Sequence, residues 1–237
     1  MTRSTSLFKF RPFNKTSIEL LVNRELWFAR PDSLNDPFEC QFDFEAMFDE
    51  LNTLPNITKS GIDRNKKNAF NIFNSLGICS FSRTRKNQLM WTHYADEHKG
   101  FCIGFNEAIL SKSETALKSV NVKYQSETPK KVVLKKIEGN SDNVELSLDS
   151  EAMYSIIGTK YTSWKYERER RLIMASSNTY SFTPESVVSI ALGLRMPKRD
   201  KDTLMQLLST PQWSHLKWYQ AEKVKGKFAL DFVQIKI

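Results

Sequence analysis

Two glutamates stand two residues apart in "SWKYERERRLIM" (163–174): Glu167 and Glu169, with Arg171 two further on. Read as the start of an edge strand, period-2 alternation puts all three side chains on one face. Like charges held that close raise the pKa of one carboxyl, which favours a proton acceptor working near neutrality. The structural explanation is a solvent-facing ladder in which Arg168, Arg170 or Arg171 neutralises the acids. Exposed ion pairs contribute only about 0–1 kcal/mol, so stability gives little reason for such a ladder.

Four further constellations carry chemically useful groups. Arg11 projects from "LFKFR" (7–11) beside aromatics, as would a surface arginine covering apolar area. "LNDPFE" supplies Asn35, Asp36 and Glu39, in a pattern that also makes an Asx turn. "GICSFS" sets Ser80 and Ser82 on one strand face, where small hydroxyls also ease close packing. "MWTHYA" puts Trp91, His93 and Tyr94 on one helix, a spacing that aromatics in a core also adopt. His93 and His98 fall on different helix faces, so no metal is assigned to the site. Nucleotide-binding glycine loops, a nucleophile elbow and H-E-x-x-H are all missing from the sequence.

The elements that must position these groups read as α+β. "LFKFR" is a strand, "TSIELLVN" a helix with Thr16 and Glu19 in capping-box spacing, and "ELWFARP" a strand stopped by Pro31. "DSLNDPFE" is a loop, and helices are expected near 41–51 and 63–75. "GICSFS" and "FCIGF" are strands flanking a helix that runs from an Asn87 cap to Gly100. "SLDSEAMYSIIGTKY" is helical, and strands "RRLIMA", "VVSIALGL", "LKWYQAEK" and "FALDFVQI" follow, with a helix near 200–209. Helices and strands mix without strict βαβ alternation, which predicts a single domain over 1–237 with a mixed, mainly antiparallel sheet flanked by helices. Residues 126–148 turn polar and basic and read as a mobile insertion or hairpin.

The 237 residues are 40% hydrophobic and 26% charged, as expected of a globular chain with a full core. Three cysteines without C-x-x-C spacing fit buried free thiols in a reducing cytoplasm. No signal-like or membrane-spanning run is present, so a cytoplasmic protein with no membrane partner is expected. The net charge of +8 would speed encounter with nucleic acid. That charge is scattered through "KKVVLKK", "PKRDK" and "KVKGK", as it is on ordinary solvated faces.

Taken in order, "LFKFRPF", "ELWFARPDSLNDPFEC", "GICSFS", "LMWTHYADEHKGFCIGF" and "WKYERERRLI" resemble the bacterial and phage family known as domain of unknown function 2971, over roughly residues 7–195. More distantly, an arginine on the first strand, a Ser-x-Ser midway and a late E-x-E resemble the Arg–Ser–Glu class of ADP-ribosyltransferases. Phe81 stands where that pattern has threonine, and "NDPFE" has no counterpart in it. This resemblance implies a split sheet and NAD as substrate. It implies that Glu169 orients the ribose and stabilises its developing cation, while Glu167 accepts a proton from the nucleophile. Arg11 would hold the pyrophosphate and Ser82 the ribose or a neighbouring glutamate, with Tyr94, Trp91 or Phe28 stacked on nicotinamide. Ser80, Asn35, Asp36, His93 and Arg171 complete the expected cofactor-binding set.

The expectation is therefore NAD-dependent ADP-ribosyl transfer or NAD hydrolysis, in a toxin or anti-phage role. The acceptor would be nucleic acid or protein, and an antitoxin or immunity protein a candidate partner. Two alternatives stay open. In a nuclease-like or nucleic-acid-binding effector, Asp36, Glu39, Glu167 and Glu169 would hold Mg²⁺. In a non-catalytic interaction module, the same motifs would only build the fold.

Overall fold

The computed structural model describes residues 6–41, 59–112, 118–129, 134–137, 145–148 and 150–236. Along the chain come β1 (Ser6–Arg11), α1 (Lys15–Asn23), β2 (Glu25–Trp27), α2 (Lys59–Ser75), β3 (Gly77–Ser82), α3 (Gln88–Tyr94) and β4 (Phe101–Asn106). After α4 (Glu107–Leu110) follow β5 (Lys118–Asn121), β6 (Lys123–Gln125), β7 (Leu134–Ile137), β8 (Glu145–Leu148), α5 (Ser150–Ile157) and β9 (Thr159–Tyr161). The last part holds β10 (Glu169–Met174), β11 (Thr179–Ser181), β12 (Val187–Leu192), α6 (Lys198–Leu207), β13 (Lys217–Lys223) and β14 (Leu230–Ile235).

Eight strands form one sheet in the order β14–β13–β12–β4–β1–β3–β10–β5. Its pairs are antiparallel except β12 with β13, which lie parallel and are joined by the α6 crossover. This is the α+β architecture with a mixed, mainly antiparallel sheet. Alternation fixes its two faces. On β4, Phe101, Ile103 and Phe105 join the larger core with Leu7, Leu21, Phe28 and Ile190. Cys102 points the other way, to Phe10, Trp91 and Ala191.

The sheet is open in one place. β1 pairs with β4 along its whole length, from Ser6↔Asn106 to Arg11↔Phe101, but meets β3 at the single pair Phe8↔Ser82. Beyond that pair β1 and β3 part, and Lys9 Nζ reaches across to the Ser80 carbonyl at 3.1 Å. The gap between these strands holds the candidate site.

Several local expectations change. Helix α1 is capped by Asn14, whose side chain accepts from the Ser17 amide at 3.0 Å, and not by a Thr16–Glu19 box. Pro12 and Phe13 leave β1 at once, so the cap falls two residues earlier. Strand β2 stops at Trp27, and α5 stops at Ile157 to release β9. The helix expected near 41–51 lies mostly outside the described residues. Within 126–148, β7 pairs antiparallel with β8.

Helix α3 ends at Tyr94, well before the expected end at Gly100. Asp96, Glu97 and His98 then take left-handed φ values of 45°, 50° and 70°. Such backbone costs non-glycine residues about 1–2 kcal/mol each. It is held by His98 N donating to the Trp91 carbonyl (3.1 Å) and Gly100 N to the Ala95 carbonyl (2.8 Å). Gly100 is required for close approach: a Cβ there would lie 2.1 Å from the Arg11 carbonyl oxygen and 2.9 Å from Pro12 Cα. Gly100→Ala should therefore push β1 off the turn and cost about 2 kcal/mol by overpacking. Urea unfolding would read this as a lower midpoint with an unchanged slope; an unshifted midpoint would show the backbone there to be free to move.

Candidate active site at the sheet opening

A cleft of about 190 Å³ lies at the opening and is lined by Phe10 and Arg11 from β1, Ser80 and Ser82 from β3, Asn35, Tyr94, Lys160, Glu167 and Glu169. Seven of the expected residues thus meet around one space: Arg11, Asn35, Ser80, Ser82, Tyr94, Glu167 and Glu169. Three do not line it. Asp36 is buried on the far side of Lys160, in a neighbouring cleft of about 550 Å³ with Phe38 and Trp164, and its carboxylate accepts from the Phe38 amide as an Asx turn. His93 is exposed and packs against Tyr94 and Tyr166. Arg171 is fully buried behind the glutamates.

The glutamates do not sit together on a strand edge. Glu167 closes a 3-10 turn (Thr162–Glu167), Arg168 takes a left-handed φ of 49°, and Glu169 opens β10. That strand is internal, paired with β3 on one side and β5 on the other. The left-handed residue, rather than strand alternation, brings the two carboxylates to one place. It sends Arg168 to solvent while both acids stay buried, so the exposed ladder does not form. Ser82 fixes this turn from β3: its hydroxyl donates to the Glu167 carbonyl at 2.6 Å. Asn87 holds the same turn, donating from Nδ2 to the Tyr166 carbonyl at 2.9 Å.

Glu39, Glu167, Glu169, Lys160 and Arg171 form one buried ionic cluster. Lys160 Nζ lies 2.8 Å from Glu39 Oε1, 2.6 Å from Glu167 Oε2 and 3.4 Å from Glu169 Oε2. Its ammonium thus sits among three carboxylates, where a metal ion would sit in the Mg²⁺ alternative. Among the described residues no group of His, Cys, Asp or Glu has metal-holding geometry. Arg171 holds Glu169 with both arms of its fork (2.8 and 3.1 Å) and also donates to Glu39. Glu39 Oε1 has Lys160 at ion-pair distance, but no hydrogen bond is aimed at it. Three carboxylates face two cations, so one negative charge is left over.

The two acids carry that charge unequally. Burial pushes the Glu167 carboxyl above its ordinary value, and Lys160 and the Tyr94 hydroxyl (2.6 Å from Oε1) offset this only in part. Burial acts on Glu169 in the same direction, but the Arg171 guanidinium outweighs it and holds that carboxyl down to about 2. Burial also raises the Tyr94 phenol, reinforced by its bond to Glu167. Lys160 is raised because Glu169, Glu39 and Glu167 together overcome its desolvation. The result is a permanent anion beside a more basic carboxylate, the division that proton-transfer sites use.

Glu169 has a consequence for acid stability. Its folded pKa lies below its unfolded one, so its stabilisation is complete above about 4.5 and is lost as pH falls towards 2. The difference corresponds to about 3 kcal/mol at 1.36 kcal/mol per pKa unit. Glu167 works the other way: its raised pKa favours folding at low pH and loses that contribution as pH rises through the folded value. Urea denaturation from pH 5 to 2 should show a steep loss of stability in the native chain and a flatter one in Glu169→Gln. Parallel curves would mean that Glu169 is not ionised in the fold.

Arg11 is half-buried, and its Nε donates to the Ser17 hydroxyl at 3.1 Å. Burial lowers its pKa, yet it stays a cation at any working pH. Sequence reasoning missed Ser17, Lys160 and Tyr124, whose hydroxyl accepts from the Glu169 amide at 2.7 Å. No local pattern marks these residues: Lys160 stands among Gly158, Thr159, Tyr161 and Thr162, where a lysine reads as an ordinary surface residue.

Among the described residues, no helix is long and apolar enough to cross a membrane, and all three cysteines are free and buried. No curated protein and no solved structure matches the chain. The family described as protein of unknown function (DUF2971) matches residues 90–172, the segment that holds Tyr94, Lys160, both site glutamates and Arg171 but not Arg11, Glu39 or the serines of β3.

Proposed function

We propose that the chain cleaves the nicotinamide–ribose bond of NAD and passes ADP-ribose to an acceptor or to water, acting in the cytoplasm as a toxin or defence effector. The single observation behind this reading is the convergence of Arg11, Ser80, Ser82, Tyr94, Glu167 and Glu169 on one cleft at the sheet opening. These residues come from separate elements, and packing alone does not require them to share a space.

The chemistry follows from the unequal acids. The C–N bond breaks with its electron pair leaving on the nicotinamide nitrogen, which becomes neutral, and positive charge grows on the ribose. Glu169, ionised at any working pH, supplies a fixed negative field to that cation. A nucleophile then bonds to the ribose carbon and its proton passes to Glu167, whose raised pKa suits it as acceptor. The Nη groups of Arg11 would take the pyrophosphate, since Nε is used by Ser17. Ser82 acts through the Glu167 carbonyl and is a positioning residue. At about 190 Å³ the cleft is below the roughly 300–1,000 Å³ of a whole ligand pocket, so it would take the nicotinamide–ribose end of the dinucleotide.

The test is release of free nicotinamide from NAD by the purified chain, followed by chromatography with and without EDTA, in the presence of single-stranded nucleic acid or protein. Release indifferent to EDTA supports the reading. No release with any acceptor ends it, and an EDTA-sensitive nuclease activity would put the Mg²⁺ alternative in its place.

A further inference from the structure

A second feature lies beside the opening and is not used by that chemistry. The loop after β3 sets Arg83, Arg85 and Lys86 against Lys217 of β13 in a cleft of about 550 Å³ that no carboxylate lines. Lys86 continues into an adjoining cleft of about 550 Å³ with Lys227 and Phe228, and a third of about 580 Å³ adds Lys225. Asp231 is the one acid along the way. Among the described residues, none of these six cations is in an ion pair. Arg85 is braced over aromatic rings, with Cζ 3.9 Å from the Tyr219 centroid and 4.8 Å from that of Phe232. The track meets the candidate active site at Phe8, which lines both clefts.

Phe228 decides what this track suits. It stands on the β13–β14 turn, where Gly226 takes a φ of 72°, and is 97% exposed. A lone exposed aromatic means little, but this one lies among Lys86, Lys225 and Lys227. An aromatic face set in a cationic groove is the arrangement that takes a stacked base with phosphates on either side. An acidic peptide would use the charges and leave the ring idle.

We infer that this track binds single-stranded nucleic acid, with backbone phosphates along Arg83, Arg85, Lys86, Lys217, Lys225 and Lys227 and a base stacked on Phe228. As a binding site it is independent of NAD chemistry. As the site that brings an acceptor strand to the opening, it rests on the reading proposed above.

The experiment is fluorescence anisotropy of a labelled oligothymidylate titrated with the full chain, without NAD, over a range of salt. The strand should bind at low salt and weaken as salt rises. Phe228→Ala should cost about tenfold in affinity and leave the salt slope unchanged. Lys225→Gln with Lys227→Gln should reduce the slope by about 1.4, at roughly 0.7 for each of the two phosphate contacts. No binding at low salt, equal affinity in Phe228→Ala, or equal affinity for duplex would overturn the inference. Displacement of the strand by polyglutamate at matched charge would assign the track to acidic polypeptides instead. If the strand binds while nicotinamide release fails, the track stands and the transfer reading falls.

Discussion

Replacing Arg171 by methionine is expected to cost about 3–5 kcal/mol, the range for removing one partner of a buried ion pair. The side chain is 0% exposed and neutralises Glu169 and Glu39 at once, while a further arm donates to the Ile157 carbonyl at 2.7 Å. Without it, three buried carboxylates would share the single ammonium of Lys160. Two outcomes would follow inside the protein: one carboxyl would take up a proton, and water would enter behind β10. For a chain of this length the thermal midpoint should fall by about 10 °C. Arg171→Lys should recover part of the loss, because it restores the charge but not the two-armed fit to Glu169. A methionine variant as stable as the native chain would show that the cluster is reached by solvent and is not a buried network.

Glu167→Gln is expected to lower nicotinamide release about 10²–10⁴-fold, the usual contribution of a positioned proton acceptor. Glutamine keeps one oxygen to accept from Lys160, and its NH2 can donate to the Tyr94 hydroxyl, which then accepts instead of donating, so the fold should survive with nearly its native midpoint. That separation makes the variant more informative than Glu169→Gln, which also disturbs the two-armed bond to Arg171. The pH profile supplies a second readout. Native activity should rise with pH as Glu167 loses its proton, at a point above the ordinary carboxylate range, and the glutamine variant should lack this rise. A stable Glu167→Gln protein with full activity would remove Glu167 from the chemistry.

Much of the site was legible before any coordinates because chemistry selects residue types. Ser80 and Ser82 interrupt an apolar strand, Arg11 stands beside aromatics, Tyr94 shares a helix with Trp91 and His93, and Glu167 and Glu169 form a close acidic pair, so their types could be read locally. The strands were legible for a related reason: β3 and β4 are short apolar runs whose length and β-forming residues leave little alternative. Less visible were the features that depend on contacts far along the chain. The cap at Asn14 follows from where β1 ends, and the left-handed turn at Asp96–His98 follows from the backbone of Arg11 passing Gly100.

What the sequence alone determined, then, was the inventory: an α+β chain with an excess of positive charge and a late pair of acids. Tertiary structure decided what surrounds each member. It placed Lys160 and Arg171 against the acids, made one carboxyl a fixed anion and the other more basic, and left β1 and β3 apart so that a space exists there. The reason is physical. Side-chain type and local period are carried by neighbours in the chain, whereas a pKa, a cleft or an ion pair depends on charge and burial supplied by residues many positions away.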